Sequence, residues 1–361
     1  MLNSFEKDPK EMSAGPKIDE INAKILKALL KEPRTSFTEI AKECGLSNTS
    51  IKNRFDRMKK SGIINGAIMQ INPRSFGYDC IAFANIEVDP REKVRVYEFL
   101  KKQQFAIYPA QLTGRNVILG FVVSKNTDDL SRIVKQIQSH PNIRSVSTAI
   151  WIDITNMDHP ENLIVEATDT MPNPNMVQSK EKVSHAITPK QTDIDLEAKG
   201  KKINKARQLD KIDIALIKLL SKDARLSFRS IAKKLGISPN NVIKRYKELR
   251  KNVLPFSSIT VNLQNLGYMG TGVMLINVSS KHSVDQTFDR LLRIPNVIVT
   301  IKLFDYYDIL AIAPFRVLED LHDLKEEISN ISGVNEINLM VDKPYKKWPL
   351  NMISELIIKN L

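Results

Sequence analysis

Apolar residues recur along this 361-residue chain with two different periods, and the change from one period to the other marks its elements. Runs rich in Val and Ile that alternate with other residues predict strands, and runs with apolar residues three or four apart predict helices. The order strand, helix, strand, strand, helix, strand occurs twice. In the first copy the strands are at 81–88, 107–112, 117–123 and 143–152 and the helices at 91–103 and 128–139. In the second copy the strands are at 272–278, 297–304, 308–313 and 334–341 and the helices at 284–293 and 317–331. This order predicts two ferredoxin-like βαββαβ domains with helices on one sheet face. We expect a partner sheet to cover the other face.

A second pattern precedes each of these domains. In the first half, Asp19 lies at the start of a helical run, Ser36 caps a second helix, Gly45 ends it and Ser47 caps a third. Ser and Asp are preferred helix caps, and a glycine allows the left-handed turn that ends a helix. Two short helices joined by such a turn, after a longer one, predict a helix-turn-helix, here followed by a wing. The fold class is therefore α+β.

The helix-turn-helix segment occurs twice. SFTEIAKECGLSNTSIKNRFDRMKK begins at Ser36, and SFRSIAKKLGISPNNVIKRYKELRK begins at Ser227, 191 residues later, with nine of 25 positions identical. The apolar positions are kept while polar ones change. Repetition of a whole segment at a fixed offset predicts a chain made of two copies of one plan.

The repeat and the composition together predict the domain boundaries. A segment rich in Pro, Asn, Thr and mixed charge, without periodicity, separates the halves and is typical of a flexible linker. We expect an N-terminal tail at 1–16, helix-turn-helix domains at 17–72 and 205–262, ferredoxin-like domains at 76–154 and 266–343, the linker at 155–204 and an amphipathic tail at 344–361.

Positive charge is concentrated in the repeated segments. The net charge is +13. Residues 17–72 hold 11 Lys and Arg against 6 Asp and Glu, and residues 205–255 hold 14 basic residues against 4 acidic ones. The segments that follow are close to neutral or acidic, with 10 basic and 8 acidic residues at 79–154 and 7 basic and 11 acidic residues at 268–343. A basic surface favours a polyanionic partner such as double-stranded DNA. The chain shows no apolar run long enough to span a membrane and no signal-peptide pattern, and its two cysteines match no disulfide or zinc spacing, so we expect a cytoplasmic protein without membrane or cofactor.

The outer face of each third helix carries the candidate DNA contacts. With Ile51, Phe55 and Met58 turned inward, the helical period places Thr49, Lys52, Asn53, Asp56, Arg57 and Lys60 outward, and in the second copy Asn240, Ile243, Lys244, Lys247, Glu248 and Lys251. Amides and hydroxyls near a helix start suit base edges, and Lys and Arg further along suit phosphates. The alternative is a solvated basic face, which the capped turn, its repetition and the local charge disfavour.

Both copies resemble the Lrp/AsnC (feast/famine) family of transcriptional regulators. The resemblance rests on IDEINAKILKALL with RTSFTEIAKECGLSNTSIKNRFDRMKKSGII, and on LDKIDIALIKLL with RLSFRSIAKKLGISPNNVIKRYKELRK. It implies a sequence-specific DNA-binding regulator, here a fused pseudo-dimer that pairs with itself within one chain or between chains and reads two non-identical half-sites. It also implies phosphate contacts at helix caps and nearby basic residues, namely Arg34, Ser36, Ser47, Arg54, Arg57, Arg225, Ser227, Ser238 and Arg245. The predicted DNA-binding set consists of these residues and the outward-facing Thr49, Lys52, Asn53, Lys60, Asn240, Asn241, Lys244, Lys247 and Lys251.

The resemblance also implies an effector loop, associated in the family with amino-acid binding between subunits. The family's TGxYD-like loop corresponds to TGRNV, with Thr113 and Gly114, in the first copy and to FDYYD, with Asp305, Tyr307 and Asp308, in the second. Neither copy keeps both the glycine and the Tyr-Asp pair. A small-molecule effector such as an amino acid is one interpretation, and a loop used only for assembly is the other.

An enzyme is the alternative of a different class. Sirohaem decarboxylases share the two-domain plan, but they carry an extended, Pro-containing basic motif before the second helix, where this chain has KEPRTSF and KDARLSF. The five histidines show no metal-ligand spacing, and no P-loop or nucleophile elbow is present in the sequence. We therefore predict no catalytic residues.

Overall fold

The computed structural model describes residues 18–103, 106–111, 117–152, 158–163 and 209–359. The first half begins with three helices and a wing strand, followed by a βαββαβ unit. Its elements are α1 (Glu20–Lys31), α2 (Phe37–Cys44), α3 (Asn48–Lys60), β1 (Ile64–Gln70), β2 (Cys80–Val88), α4 (Lys93–Lys102), β3 (Ala106–Gln111), β4 (Val117–Ser124), α5 (Thr127–Gln138) and β5 (Ile143–Trp151).

The second half repeats this order and adds a final helix. Its elements are α6 (Lys211–Lys222), α7 (Phe228–Leu235), α8 (Pro239–Asn252), β6 (Phe256–Val261), β7 (Gly270–Val278), α9 (Val284–Leu291), β8 (Val299–Phe304), β9 (Ile309–Phe315), α10 (Leu318–Ser329), β10 (Val334–Asp342) and α11 (Met352–Lys359). The predicted α+β class, with two winged helix-turn-helix units and two ferredoxin-like units, is confirmed.

Each sheet has one face against its own helices and one face toward the other half. The strand orders are β5-β2-β4-β3 and β10-β7-β9-β8, and the two sheets join through a short antiparallel pairing of β5 with β8. Alternate residues of β2, such as Ala82 and Ile86, form a core with α4 and α5, whereas Phe83 faces the opposite way. Phe83 belongs to one continuous core that also includes Ile301 and Leu310 of the second sheet. Burial of the remaining sheet face against a partner sheet, as expected, therefore occurs within one chain.

The two wing strands join the helix-turn-helix units. β1 pairs with β6 in an antiparallel ribbon, and each first helix packs on the other half's strand, α1 on β6 and α6 on β1. Backbone hydrogen bonds also cross between the halves, from Ala224 N–H to the Ala67 carbonyl at 2.9 Å and from Asn72 N–H to the Val253 carbonyl at 2.8 Å. The second wing forms this strand even though its turn has Pro255 and no residue matching Gly62.

The C-terminal segment lies along this ribbon and contacts both halves. Trp348 is buried and pairs with Val261 by backbone hydrogen bonds in both directions. The buried Ser354 hydroxyl, on α11, accepts a hydrogen bond from the Ile71 N–H at 3.0 Å. The predicted amphipathic tail thus contributes core and ribbon contacts.

Candidate nucleic-acid interface

Serine caps and a left-handed glycine build the turn before each recognition helix. The Ser47 hydroxyl accepts the Ser50 N–H at 3.1 Å, and the Ser238 hydroxyl accepts the Asn241 N–H at 3.2 Å, so both caps begin their helices as predicted. Gly45 and Gly236 have φ of 65° and 66°, a conformation that residues with a Cβ rarely adopt. The same local chemistry therefore sets both turns.

The inward faces of α3 and α8 hold each recognition helix on its own bundle. Ile51, Phe55 and Met58 are buried in the first copy, and Val242 and Leu249 are buried in the second. The remaining face is turned away from the bundle, which leaves it available to a partner.

Most of the predicted contact residues are exposed. In the first copy these are Ser36, Ser47, Thr49, Lys52, Asn53, Arg57 and Lys60, and in the second they are Ser227, Ser238, Asn240, Asn241, Lys244, Lys247 and Lys251. Their exposure is what the DNA-binding prediction requires, and contact with DNA stays a prediction for each of them. Among the described residues no group of three His, Cys, Asp or Glu could hold a metal ion, and no helix is long and apolar enough to cross a membrane.

Arg54 and Arg245 each join a recognition helix to the first helix of the same half. The Arg54 guanidinium donates to Asp19 at 2.5 Å, and the Arg245 guanidinium donates to Asp210 and Asp213, both at 2.7 Å. The hydrogen bonds that Arg245 donates to these two carboxylates raise its pKa. Both arginines are therefore engaged within their own halves, and contact of either with a phosphate stays a prediction.

Arg34 and Arg225 point into the interface between the two helix-turn-helix units. The Arg34 guanidinium donates to the Leu226 carbonyl, and the Arg225 guanidinium donates to the Pro33 carbonyl. Burial lowers the pKa of both arginines. Both guanidinium groups are thus engaged between the halves, and their phosphate contacts stay a prediction. The period of the pattern could not reveal this, because both residues lie in the turn before a helix.

The second-copy loop holds its polar groups within its own sheet. A carboxylate oxygen of Asp308 accepts the Val278 N–H at 2.7 Å, and the Tyr307 hydroxyl donates to Glu336 at 3.1 Å. Asp305 is exposed and lines an open cleft with Phe304 and Lys302. Thr113 and Gly114 of the first copy lie outside the described residues. Tyr307 and Asp308 are therefore engaged within this sheet, and effector binding by the loop stays a prediction.

Comparisons with known proteins match both copies. A family model described as the AsnC-type helix-turn-helix domain matches residues 209–250, and one described as a winged helix-turn-helix DNA-binding domain matches residues 18–65. The HTH-type transcriptional regulator LrpA of Pyrococcus horikoshii is 33% identical over 117 residues, which are 32% of this chain and 83% of that protein. LrpA of Pyrococcus abyssi matches with the same identity and coverage.

A solved structure matches the whole two-copy plan. The crystal structure of the siroheme decarboxylase NirDL aligns with 93% of this chain and 95% of its own, with a TM-score of 0.60 and 15% sequence identity. At that identity the likeness concerns the fold. The sequence relatives, in contrast, are named transcriptional regulators. This chain belongs to the Lrp/AsnC family of DNA-binding transcriptional regulators.

Proposed function

We propose that this regulator is a fused pseudo-dimer whose two recognition helices read two non-identical half-sites of one operator. The observation that carries the proposal is the β1–β6 ribbon, which joins two helix-turn-helix units of one chain while both outer faces stay exposed. A symmetric dimer of identical chains would present the same face twice. Here one chain presents two different faces.

The differences between the faces suit different bases. At matching positions the first copy has Lys52 and Asn53, and the second has Ile243 and Lys244. Asn pairs well with adenine, Lys with guanine, and an apolar side chain contacts the thymine methyl group. We therefore infer an operator that is an imperfect palindrome with distinguishable arms, about one helical turn between their centres.

Phosphate contacts are proposed for residues beside the base-reading positions. The exposed caps Ser47 and Ser238 lie at helix N-termini, which favour anions, and Arg57 and Lys60 lie near the end of α3. In the second copy Lys251 pairs with Glu248 at 3.0 Å, so part of that charge is offset within the helix. We assign residues 17–72 and 205–262 to DNA binding, and 76–154 and 266–343 to pairing of the halves.

Pairing within one chain is supported by the continuity of contacts between the halves. The ribbon, the β5–β8 pairing and the common core all join residues of a single polypeptide. We propose a monomer in solution that already has two reading heads. Light scattering of the purified chain tests this by giving the mass of the particle in solution. A mass of two chains would contradict the proposal.

The DNA-binding proposal is tested with selected duplexes. The chain is incubated with random-sequence DNA, bound duplexes are sequenced, and affinity for the selected site is measured at two salt concentrations. We expect log affinity to fall linearly with log salt, with a slope of about −0.9 for each phosphate neutralised. Absence of a preferred sequence, or affinity that salt leaves unchanged, would contradict the proposal.

Charge reversal tests whether each half reads its own arm. Lys52→Glu with Arg57→Glu changes the first helix, and Lys244→Glu with Lys247→Glu is the matched change in the second. Because all four side chains are exposed, we expect normal folding and footprint protection lost on one arm only, a different arm for each variant. Equal loss on both arms in both variants would contradict independent reading.

A second candidate function, a tetrapyrrole-binding enzyme, is supported only by the fold likeness over 93% of the chain. Absorbance after incubation with a ferric tetrapyrrole discriminates between the two. We expect no change in the Soret absorbance that saturates as protein is added. A change that saturates at a fixed ratio of tetrapyrrole to chain would favour the enzyme.

A further inference from the structure

Arg34 lies in the turn between α1 and α2 and reaches into the other half of the molecule. Its guanidinium carbon lies 4.3 Å from the centre of the Phe228 ring and 5.2 Å from the centre of the Tyr246 ring. Its Nη2 donates to the Leu226 carbonyl at 2.8 Å. One side chain therefore contacts two aromatic rings and the backbone of the opposite helix-turn-helix.

Arg225 makes the reciprocal contacts from the matching turn. Its guanidinium carbon lies 4.9 Å from the centre of the Phe37 ring and 5.0 Å from the centre of the Phe55 ring. Its Nη1 donates to the Pro33 carbonyl. Arg34 and Arg225 lie 191 residues apart, the offset of the repeated segment, so they form a clasp of two equivalent halves.

The clasp bears directly on the recognition helices. Phe55 lies on α3 and Tyr246 lies on α8, and both residues pack toward the interior, away from the outer face. Each of these two rings also packs on the first aromatic residue of the preceding helix, with ring centres 5.2 Å apart for Phe37 and Phe55 and 5.0 Å apart for Phe228 and Tyr246. A guanidinium of one half thus rests on the recognition helix of the other.

The position of Arg34 has a cost, because the half-buried guanidinium leaves water and its Nε has no hydrogen-bond partner among the described residues. A planar guanidinium can, however, stack on a ring and donate in its own plane at the same time, which a lysine ammonium cannot do. The gain is a defined geometry between the two units.

We propose that Arg34 and Arg225 are positioning residues that hold the two recognition helices at one separation, so that the chain accepts one spacing between half-sites. This inference rests on the proposed function. It assigns the two arginines a role in reading DNA that acts through Phe55 and Tyr246 and involves no contact with the duplex.

The test compares spacing preference in the native chain and in the double variant R34K/R225K, which keeps both charges. The probes are the selected operator, the same operator with two or five base pairs inserted between its arms, and a duplex with one arm. We expect the variant to lower the ratio of affinities for native and altered spacing by about tenfold, because a lysine cannot stack on a ring and donate to the carbonyl at the same time. Affinity for the single arm and the salt slope should stay as in the native chain.

Arg250→Lys is the matched control. Arg250 also carries a charge across the interface, to Glu32 at 3.5 Å, but no contact between its guanidinium and an aromatic ring is recorded among the described residues. The control should keep the native spacing preference. Loss of that preference in the control as well would show that any charge in the interface has this effect, and would overturn the specific assignment to the clasp.

Two DNA results overturn the proposal. One is an unchanged spacing ratio in a folded R34K/R225K variant. The other is an affinity loss that is equal at all spacings, which would mean that the arginines support binding, as phosphate contacts would, without setting the spacing. Failure of the native chain to bind any selected duplex would instead contradict the proposed function.

A distance measurement decides the positioning role without DNA. Spin labels at Asp56→Cys and Glu248→Cys, with Cys44 and Cys80 replaced by serine, report the separation of the two outer faces. We expect a broader distance distribution in R34K/R225K, or in either single variant if the double variant does not fold. An unchanged distribution in folded variants would overturn the proposal.

Discussion

The two recognition helices agree where they face the protein and differ where they face outward. The buried Ile51 of α3 has Val242 as its counterpart in α8, and both are fully buried. On the exposed side, Arg57 of the first helix has Glu248 as its counterpart, with the charge reversed. The comparison teaches that the fold constrains the inner positions, whereas the outer positions are free to follow whatever each helix binds.

The ferredoxin-like units diverge at corresponding surface positions too. Where the first unit has the exposed polar residues Asp79 and Thr127, the second has the exposed Met269 and Leu318. Within each unit the sheet and the helices that cover it are the same. The two halves therefore share a scaffold, and what differs between them lies on the surface.

Removing the inner side chains should have the largest effect and should be similar in both halves. Ile51→Ala should lower the free energy of unfolding by about 3 kcal/mol and Val242→Ala by about 2 kcal/mol, because each leaves a cavity in a close-packed core. Both residues belong to one continuous core, so each variant should shift a single unfolding transition. Urea denaturation followed by circular dichroism measures this.

The control for this comparison is Lys52→Ala, an exposed change that should alter stability by less than about 0.5 kcal/mol. Two separate transitions in either cavity variant would mean that the halves fold as independent units. The inner faces of the two recognition helices would then not be equivalent parts of one core.

Reversing the charge at Arg57 or at Glu248 should have a smaller effect. This effect is on DNA affinity, and it should have opposite signs in the two halves. Arg57→Glu should weaken binding by about tenfold and make the salt slope shallower by about one, because a phosphate contact is lost. Glu248→Arg should strengthen binding and steepen the slope by about the same amount, and it also removes the partner that now pairs with Lys251. Titration of the selected operator at several salt concentrations measures both values.

Variants that change both slopes in the same direction would contradict the proposed difference between the arms. Lys27→Glu on α1 offers a control for long-range charge, because it reverses an exposed cation that does not lie on a recognition helix. Its effect should be small at a salt concentration where exposed charges are screened beyond about 10 Å.

Elements and caps could be predicted from the sequence, because they depend on local pattern and on single residues. The serine caps at Ser47 and Ser238 and the left-handed turns at Gly45 and Gly236 are confirmed, and the strand and helix bounds differ from the prediction by a few residues at most. The two-copy plan was also visible, since a repeat at a fixed offset needs no structure.

Beyond the expected packing of the two sheets, the contacts between the halves could not be predicted, because they join residues far apart in sequence. Arg34 and Arg225 look like outward-facing basic residues beside a helix cap, and only the packing of one half on the other shows that each meets two rings. The pairing of β1 with β6 was hidden for the same reason. A long-range partner leaves no periodic signal in its own segment.

The ion pairs that join each recognition helix to the first helix of its half should have the smallest effect on the free energy of unfolding, and only at low pH. Arg245 contacts the two carboxylates of Asp210 and Asp213, whereas Arg54 contacts Asp19 and, at 3.2 Å, the amide oxygen of Asn22. The hydrogen bond from the Asp213 N–H, then that from Arg245, lowers the pKa of Asp210. For Asp19 partial burial acts upward, but the hydrogen bonds from the Asn22 N–H and Arg54 lower the pKa below its ordinary value of 3.8.

A lowered carboxyl pKa in the folded state means that the unfolded chain takes up protons first as the pH falls. The stability from each pair is therefore fully present above the ordinary carboxyl pKa and is lost as the pH falls through the lower, folded value. Arg245→Met and Arg54→Met should both flatten the fall in unfolding free energy below about pH 5, because each removes a hydrogen bond that lowers the pKa of Asp210 or of Asp19. Urea denaturation at a series of pH values measures this, with Lys24→Met, in the exposed pair with Glu20, as the control. An unchanged pH dependence in one variant only would mean that its arginine does not lower the carboxyl pKa, and that the two halves differ here although their cores agree.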